Sequence, residues 1–434
     1  MTPAARLAAA IEVIELIEKN RVPAASALKD WGTSHRFAGS GDRAAISGLV
    51  YDTLRRRSSA AYLMSDDSAR GRVLGALKLE RNFGSDAIAA LCDGSRFAPA
   101  PLSDAERKAL ASSTLDGAAP HVAGDYPEWL DPYLADVFGD DRVAETAAMA
   151  SRAPIDLRVN ALKADRPAVL KSLKHLGVAE TPWSPLGLRL EIPADARNPG
   201  IHAEAEFIKG QIEVQDEGSQ LAALIAAPRP GDQVIDLCAG AGGKTLALAA
   251  LMKGKGRVAA TDVDKRQLAP IYERLTRAGA HNVEVRPPKG DADPLADLRG
   301  GADLVVVDAP CTGTGTWRRN PDAKWRIRPG ALEIRLKDQI EALDRAAGLV
   351  RPGGRIAYIT CSVLRAENDD QVDGFLARHS GFSLLSREEV VRPLGEHAAD
   401  FVAATKAGTG SILMTPRRTR TDGFFVAVMK RAEN

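Results

Sequence analysis

Two thiols and a run of carboxylates stand where apolar stretches of this chain break into polar turns. Cys311 lies three residues after Asp308 in Val305-Val-Val-Asp-Ala-Pro-Cys-Thr-Gly-Thr-Gly315, and Cys361 is the centre of Thr360-Cys-Ser362. A thiolate in such a place is a nucleophile, and a carboxylate beside it can orient a polar or cationic group. An isolated cysteine closing a strand is most often a small packed side chain. Two of them, each after an apolar run with β-branched residues, are harder to account for as packing.

A third polar turn, Asp236-Leu-Cys-Ala-Gly-Ala-Gly-Gly-Lys-Thr245, follows the strand-like Gln233-Val-Ile-Asp-Leu237. Its glycines let backbone approach a ligand closely and turn into a helix N-terminus. A phosphate-binding P-loop needs glycine five residues before Gly243, and that position is Cys238. A dinucleotide fingerprint needs a small residue at 245, which is Thr. A nucleoside-sized ligand with less phosphate remains, cradled by Cys238, Ala239, Gly240, Ala241, Gly242, Gly243 and Lys244. Asp262 ends the next strand, where an acid binds a ribose diol. Asp291, in Gly290-Asp291, is placed to reach the base of the same ligand, and Asp308 ends a further strand. Carboxylates on successive strand ends suit a cationic cofactor such as S-adenosyl-L-methionine better than a pyrophosphate.

The elements that carry these turns alternate. Strands are expected at 233–237, 257–262, 283–285, 302–307, 355–360 and 423–429, with helices at 245–252, 265–278, 332–350 and 369–379. Such alternation implies a parallel, doubly wound, Rossmann-like α/β sheet, with Phe424 to Met429 added as an edge strand. Upstream, Ile155 to Asn160 and Leu188 to Ile192 read as strands around a helix at 166–176, a small α+β module. Residues 1–95 read as helices, with Leu7, Ile11, Ile14 and then Ile46, Leu49, Val50 and Leu54 at helical spacing. The organisation expected is therefore 1–95 helical, 96–125 a linker rich in Ala, Pro, Ser and Gly, 126–209 the small module, and 210–434 the catalytic domain.

The 434 residues carry a formal net charge of +1, so any nucleic-acid site is a local patch and not a global field. The four cysteines form no CxxC pair and the seven histidines no cluster, so no metal site is expected. No apolar run approaches the roughly 18 residues that would span a bilayer. Glu12, Glu15 and Glu18 in the first helix exclude a signal-peptide core. A cytoplasmic protein without a membrane partner, acting as a monomer, is expected.

The motifs closely resemble the RsmB/Nop/Sun family of RNA cytosine carbon-5 methyltransferases. The resembling stretches are Asp236 to Thr245, Asp308 to Gly315, Arg318-Arg-Asn-Pro-Asp-Ala-Lys-Trp325, Thr360-Cys-Ser362, Asp422-Gly-Phe-Phe425, Leu157 to Asn160 and Gly210 to Gln220. Over 1–95, the helices and Asp42-Arg-Ala-Ala are similar to the NusB-like domain of some bacterial members. The family's usual Ala-Ala-Pro-Gly-Gly-Lys is here Ala239-Gly-Ala-Gly-Gly-Lys244, which leaves the loop floppier, and Thr312 replaces Ser.

What the resemblance implies is a methyl transfer from S-adenosyl-L-methionine to a cytosine. Carbon 5 of cytosine is a poor nucleophile until a thiolate adds at carbon 6. By the family pattern Cys361 is that thiolate, Cys311 assists product release, and Lys244 and Asp308 lie near the cytosine. DNA carbon-5 methyltransferases use the Pro-Cys thiol instead, so residue logic alone leaves the two cysteines interchangeable. Lys244 is a candidate source of the positive charge that a thiolate needs.

The RNA partner is expected to be ribosomal, offering an unpaired cytosine, because extracting a paired base costs a few kcal/mol. Between Arg318 and Lys337 seven cations face only Asp322 and Glu333, with Trp317 and Trp325 interleaved, which reads as the RNA footprint. Arg55-Arg56-Arg57 reads as a solvated helix end, with RNA contact as the sharper option. The competing readings are a transfer RNA substrate with the same chemistry and a non-catalytic ribosome-assembly factor.

Overall fold

The computed structural model describes residues 1–192, 199–290, 292–406 and 410–433, and they divide into two compact units. The first comprises Met1–Ala153 and, from far along the chain, Trp317–Ile327. Its helices include Pro3–Asn20, Ala24–Ser34, Ser40–Arg55, Arg57–Met64, Ala69–Arg81 and Asp104–Ser112. Thr2, Ser68 and Ser103 start three of them by accepting a backbone N–H with a side-chain oxygen. Leu7, Val13, Ile14, Ile46, Val50, Leu74 and Leu77 recur at helical spacing and pack into one core.

The late segment is a strap seated on that helical core, and it corrects two expectations. The last carbonyls of an α-helix lack intrahelical donors and carry partial negative charge. At the end of Ser40–Arg55 the indole N–H of Trp325 donates to the Leu54 carbonyl (2.7 Å), and the Lys324 ammonium donates to that of Arg55 (3.0 Å). The Arg55 guanidinium donates to the Arg318 carbonyl (2.8 Å), and Asp322 accepts from the Ala24 amide (3.2 Å). Arg56 pairs with Glu80, and Arg57 lies over the Trp325 ring. The triple arginine is thus the socket of the strap and not a solvated helix end. Trp317 and Lys324 are 1% exposed and Arg318 is 4% exposed, so they form interior structure and not a base-stacking footprint.

The second unit holds two sheets. The smaller has order β2-β3-β1-β4, from β1 (Ile155–Val159), β2 (Ala179–Glu180), β3 (Gly187–Leu190) and β4 (Ile212–Val214), all antiparallel. Buried charges tie it to the helix Glu217–Ala226: Asp156 takes both nitrogens of Arg189 (2.7 and 2.8 Å) and caps that helix through the Glu217 amide. Asn160 donates to the carbonyls of Gly210 and Ala278.

The larger sheet has eight strands among the described residues: β5 (Gln233–Asp236), β6 (Arg257–Ala260), β7 (Val283–Val285), β8 (Ala302–Asp308), β9 (Val350–Thr360), β10 (Phe382–Leu384), β11 (Ile412–Met414) and β12 (Phe424–Arg431). The order is β10-β12-β9-β8-β5-β6-β7, with β11 also paired to β12. Strands β5 to β9 are parallel, and β12 runs antiparallel to β9. The expected edge strand is therefore an interior one. Its six apolar residues from Phe424 are almost wholly buried, and it pairs with β9 along one side and with β10 and β11 along the other. Strand order reverses between β5 and β8, so the crevice at their carboxyl ends is where such a sheet binds ligands.

Candidate active site

Cys311 follows β8 and Cys361 follows β9, and the parallel pairing of those strands brings the two sulfurs to 3.4 Å. Both thiols are half-buried. The loops that carry them are laced together. The Gly315 amide donates to the Cys361 carbonyl (2.9 Å), and the Val363 amide donates to the Thr314 hydroxyl (2.9 Å). Asn368 accepts from the Thr360 hydroxyl (2.6 Å) and donates to the Ser362 carbonyl (2.9 Å). Gly315 lies so close to Gly423 that an added Cβ would stand 2.2 Å from the Gly423 carbonyl oxygen, which explains a glycine at this position.

One β-strand over, the glycine loop joins β5 to the helix Gly243–Leu251. Gly240 and Gly242 have φ of 49° and 81°, left-handed conformations that glycine adopts without strain. The Gly240 amide donates to Asp262 (3.0 Å), and Asp262 also accepts from the Asp264 amide (3.0 Å). The Ala239 amide extends the β6 side by donating to the Thr261 carbonyl. Arg274 donates to the Ala241 carbonyl (2.8 Å) while paired with the buried Glu213, so a guanidinium braces the loop that lacks the proline. Lys244, on the first turn of the helix, reaches Asp308 at 2.8 Å and lies 5.0 Å from the centre of the Phe424 ring. Its ammonium is thus engaged by a carboxylate and a ring face.

Electrostatics distinguish these groups. Burial drives Asp236 up to about 7, against one opposing hydrogen bond from the Thr245 hydroxyl (2.7 Å). Its second oxygen is buried without a partner among the described residues. Burial, then the neighbouring carboxylates of Asp236, Asp308 and Asp262, hold the Cys238 thiol well above its ordinary range. The Cys361 sulfur, followed by burial, does the same for Cys311, so Cys311 is held as a thiol. A glycine cradle with open space at the Gly240 Cβ position, beside the carboxylates of Asp262 and Asp308, fits a nucleoside carrying a positive charge.

Of the residues singled out from the sequence, Cys311 and Cys361 come together, as do Lys244 with Asp308 and Gly240 with Asp262. Cys238 shares the acidic neighbourhood, whereas Asp291 lies outside the described residues. Sequence reasoning missed Glu367, Gln339 and Arg274. Nothing in a lone Glu of Arg365-Ala-Glu-Asn368 marks it as buried. A cleft of about 820 Å³ opens where the parallel strands begin, lined by Arg229, Asp303, Arg355 and Val428 among others. It contains none of the candidate residues, and the chemistry here belongs to the opposite edge of the sheet.

The sheet and its glycine cradle define an S-adenosylmethionine-dependent methyltransferase fold. Residues 223–430 match the family described as 16S rRNA methyltransferase RsmB/F, and residues 126–197 match the ferredoxin-like domain of RsmF/B-like methyltransferases. The chain is 32% identical over 317 residues to the probable ribosomal RNA small subunit methyltransferase B of Synechocystis sp., covering 71% of this chain and 67% of that one. It is also 32% identical over 339 residues to ribosomal RNA small subunit methyltransferase B of Sodalis glossinidius, covering 77% and 69%. The solved structure of PH0851 superposes with a TM-score of 0.74 at 26% identity over 99% of each chain. The chain belongs to the RsmB/F methyltransferase family, whose methyl donor is S-adenosylmethionine. No helix among the described residues is long and apolar enough to cross a membrane, and no group of His, Cys, Asp and Glu among them could hold a metal ion.

Proposed function

We propose that this protein methylates carbon 5 of an unpaired cytosine in ribosomal RNA through a covalent bond between Cys361 and carbon 6. The observation that carries this reading is the pair of sulfurs 3.4 Å apart on adjacent strand ends. S-adenosylmethionine, when bound, supplies an electrophilic methyl group. Cys238 to Lys244 and Asp262 would hold it, with Asp308 between it and the cytosine. The Cys361 thiolate forms the bond to carbon 6, and the electron pair of the 5,6 double bond moves to carbon 5, which takes the methyl as the methyl–sulfonium bond breaks and its electron pair stays on the donor sulfur, now a neutral thioether. Water then accepts the carbon-5 proton, the double bond re-forms, and the electron pair of the carbon–sulfur bond returns to Cys361. Cys311, held as a thiol, donates a hydrogen bond to that departing sulfur. Asp308 meets the exocyclic amine or ring nitrogen of the base, and Lys244 keeps Asp308 in place.

In this reading residues 1–95 are a NusB-like accessory domain, 126–209 an RNA-binding module and 210–434 the catalytic domain. The chain works as a cytoplasmic monomer.

Incubation with unmethylated ribosomal RNA and tritiated S-adenosylmethionine tests the chemistry. Cys361→Ala is expected to abolish both tritium transfer and the protein–RNA adduct on denaturing gels. Cys311→Ala is expected to accumulate the adduct. The reverse pattern would exchange the two roles, and no transfer by the unaltered protein would favour a non-catalytic assembly factor. Bisulfite sequencing of a deletion strain names the substrate, and loss of a transfer RNA site in its place would change the RNA but not the chemistry.

A further inference from the structure

The loop of Cys311 is held by a buried carboxylate that the chemistry above does not use. Glu367 ends the short turn Arg365–Glu367 six residues after Cys361, and it is 0% exposed. Its carboxylate accepts from the Thr312 amide (2.8 Å), from the Thr312 hydroxyl and from Gln339 Nε2 (3.1 Å). Gln339, on the helix Pro329–Leu349, donates to the Pro310 carbonyl as well (3.0 Å). The Glu367 carbonyl accepts from the Tyr358 hydroxyl on β9 (2.6 Å), which locks the turn to the strand that delivers Cys361. One carboxylate thus grips the residue after Cys311 directly and the residue before it through Gln339.

Burying a carboxylate costs several kcal/mol unless its acceptors are filled. Here the donors that fill it come from the Cys311 loop and from the helix behind that loop. An apolar residue would serve packing alone without that cost. Resting on the function proposed above, we propose that Glu367 is a positioning residue for Cys311. It fixes the Cys311 thiol against Cys361 so that it can hydrogen-bond the departing sulfur, and its negative charge disfavours ionisation of that thiol. Its action falls on product release and not on methyl transfer.

The test compares Glu367→Gln, which keeps the shape and removes the charge, in the full-length protein with and without Cys311→Ala. Two rates are read: single-turnover tritium transfer, and decay of the covalent protein–RNA adduct on denaturing gels. In the otherwise unaltered protein, E367Q is expected to leave transfer within about threefold and to slow adduct decay about tenfold or more. In the Cys311→Ala background, the same substitution is expected to add nothing, because a residue acting through a missing group has no further effect. Thr312→Val, which removes a single hydroxyl contact, is expected to slow decay in the same direction by a smaller factor and covers the case in which E367Q does not fold.

Equal slowing in both backgrounds, unchanged decay, or loss of transfer together with decay would overturn the inference. Absence of any adduct in the unaltered protein would instead count against the function it rests on.

Discussion

Replacing Asp236 with Asn should change how stability depends on pH more than it changes stability itself. Asp236 is 0% exposed, and its folded value is about 7 against an ordinary 3.8. A carboxyl raised on folding contributes stability that is whole below its unfolded value and is lost as pH climbs through the folded one. Between those limits the unfolded chain has released the proton while the folded chain keeps it, so stability falls by about 1.4 kcal/mol per pH unit. The full span is on the order of 4 kcal/mol, good to about one pH unit either way. Asn cannot ionise, so this slope vanishes in D236N. The Asn amide takes the position of the oxygen that has no partner, at a pH-independent cost of about 1–3 kcal/mol. The intercept is therefore not informative and the slope is. Between about pH 5.5 and about pH 7, the stability of D236N relative to the unaltered protein should rise by about 2 kcal/mol. In thermal melts of both proteins that is a gain of roughly 2–4 °C in relative melting temperature. The effect should persist at high salt, because the group is buried. Parallel melting curves across that range would refute the argument that Asp236 is held protonated.

The remaining predictions concern the glycine loop and the strap. Arg274→Ala removes the brace on the Ala241 carbonyl and should raise KM for S-adenosylmethionine roughly tenfold, about 1.4 kcal/mol, with kcat within about twofold. Initial-rate kinetics at saturating RNA check it, and an unchanged KM would show the loop to be rigid without that brace. Trp325→Ala removes a large, half-buried side chain packed against the helical core together with its bond to the Leu54 carbonyl, and should cost about 2–3 kcal/mol. Loss of protease resistance in residues 1–153 reads it out, and full resistance would mean that the strap contributes little to the helical unit.

The parts of the fold legible in the sequence are those set by local chemistry. Strands β5, β6 and β8 are short β-branched or apolar runs ending in acids and glycines, and both the runs and their ends were readable. The thiol pair was readable too, since parallel neighbouring strands bring their carboxyl ends side by side. The position of β12 was not, because an apolar run says that both faces are buried but does not say between which neighbours. The strap was misread for a related reason. Trp317, Arg318, Lys324 and Trp325 have the composition of an RNA-binding stretch, and the donors of two of them, Lys324 and Trp325, serve equally to fill carbonyls at a helix end. Only the partner distinguishes the two uses, and the partner lies some 270 residues away in the chain. Glu367 was missed because polar residues in a turn are usually solvated, and its burial follows from the two loops that close over it.

The strap also sets an order of events at the ribosome. The helical unit comprises Met1–Ala153, yet its socket at Leu54, Arg55 and Ala24 is filled by Trp317–Ile327. Between residues 153 and 327 the ribosome must add 174 more, which at typical translation speeds takes roughly ten to thirty-five seconds. Through that interval the Leu54 and Arg55 carbonyls and the Ala24 amide stand without the partners that the strap gives them. The helical unit is thus completed only after the Pro-Cys loop has been made. A chain that stalls before Trp317 leaves this socket unfilled and open to chaperones and proteases, so truncated products should be cleared sooner than the finished protein.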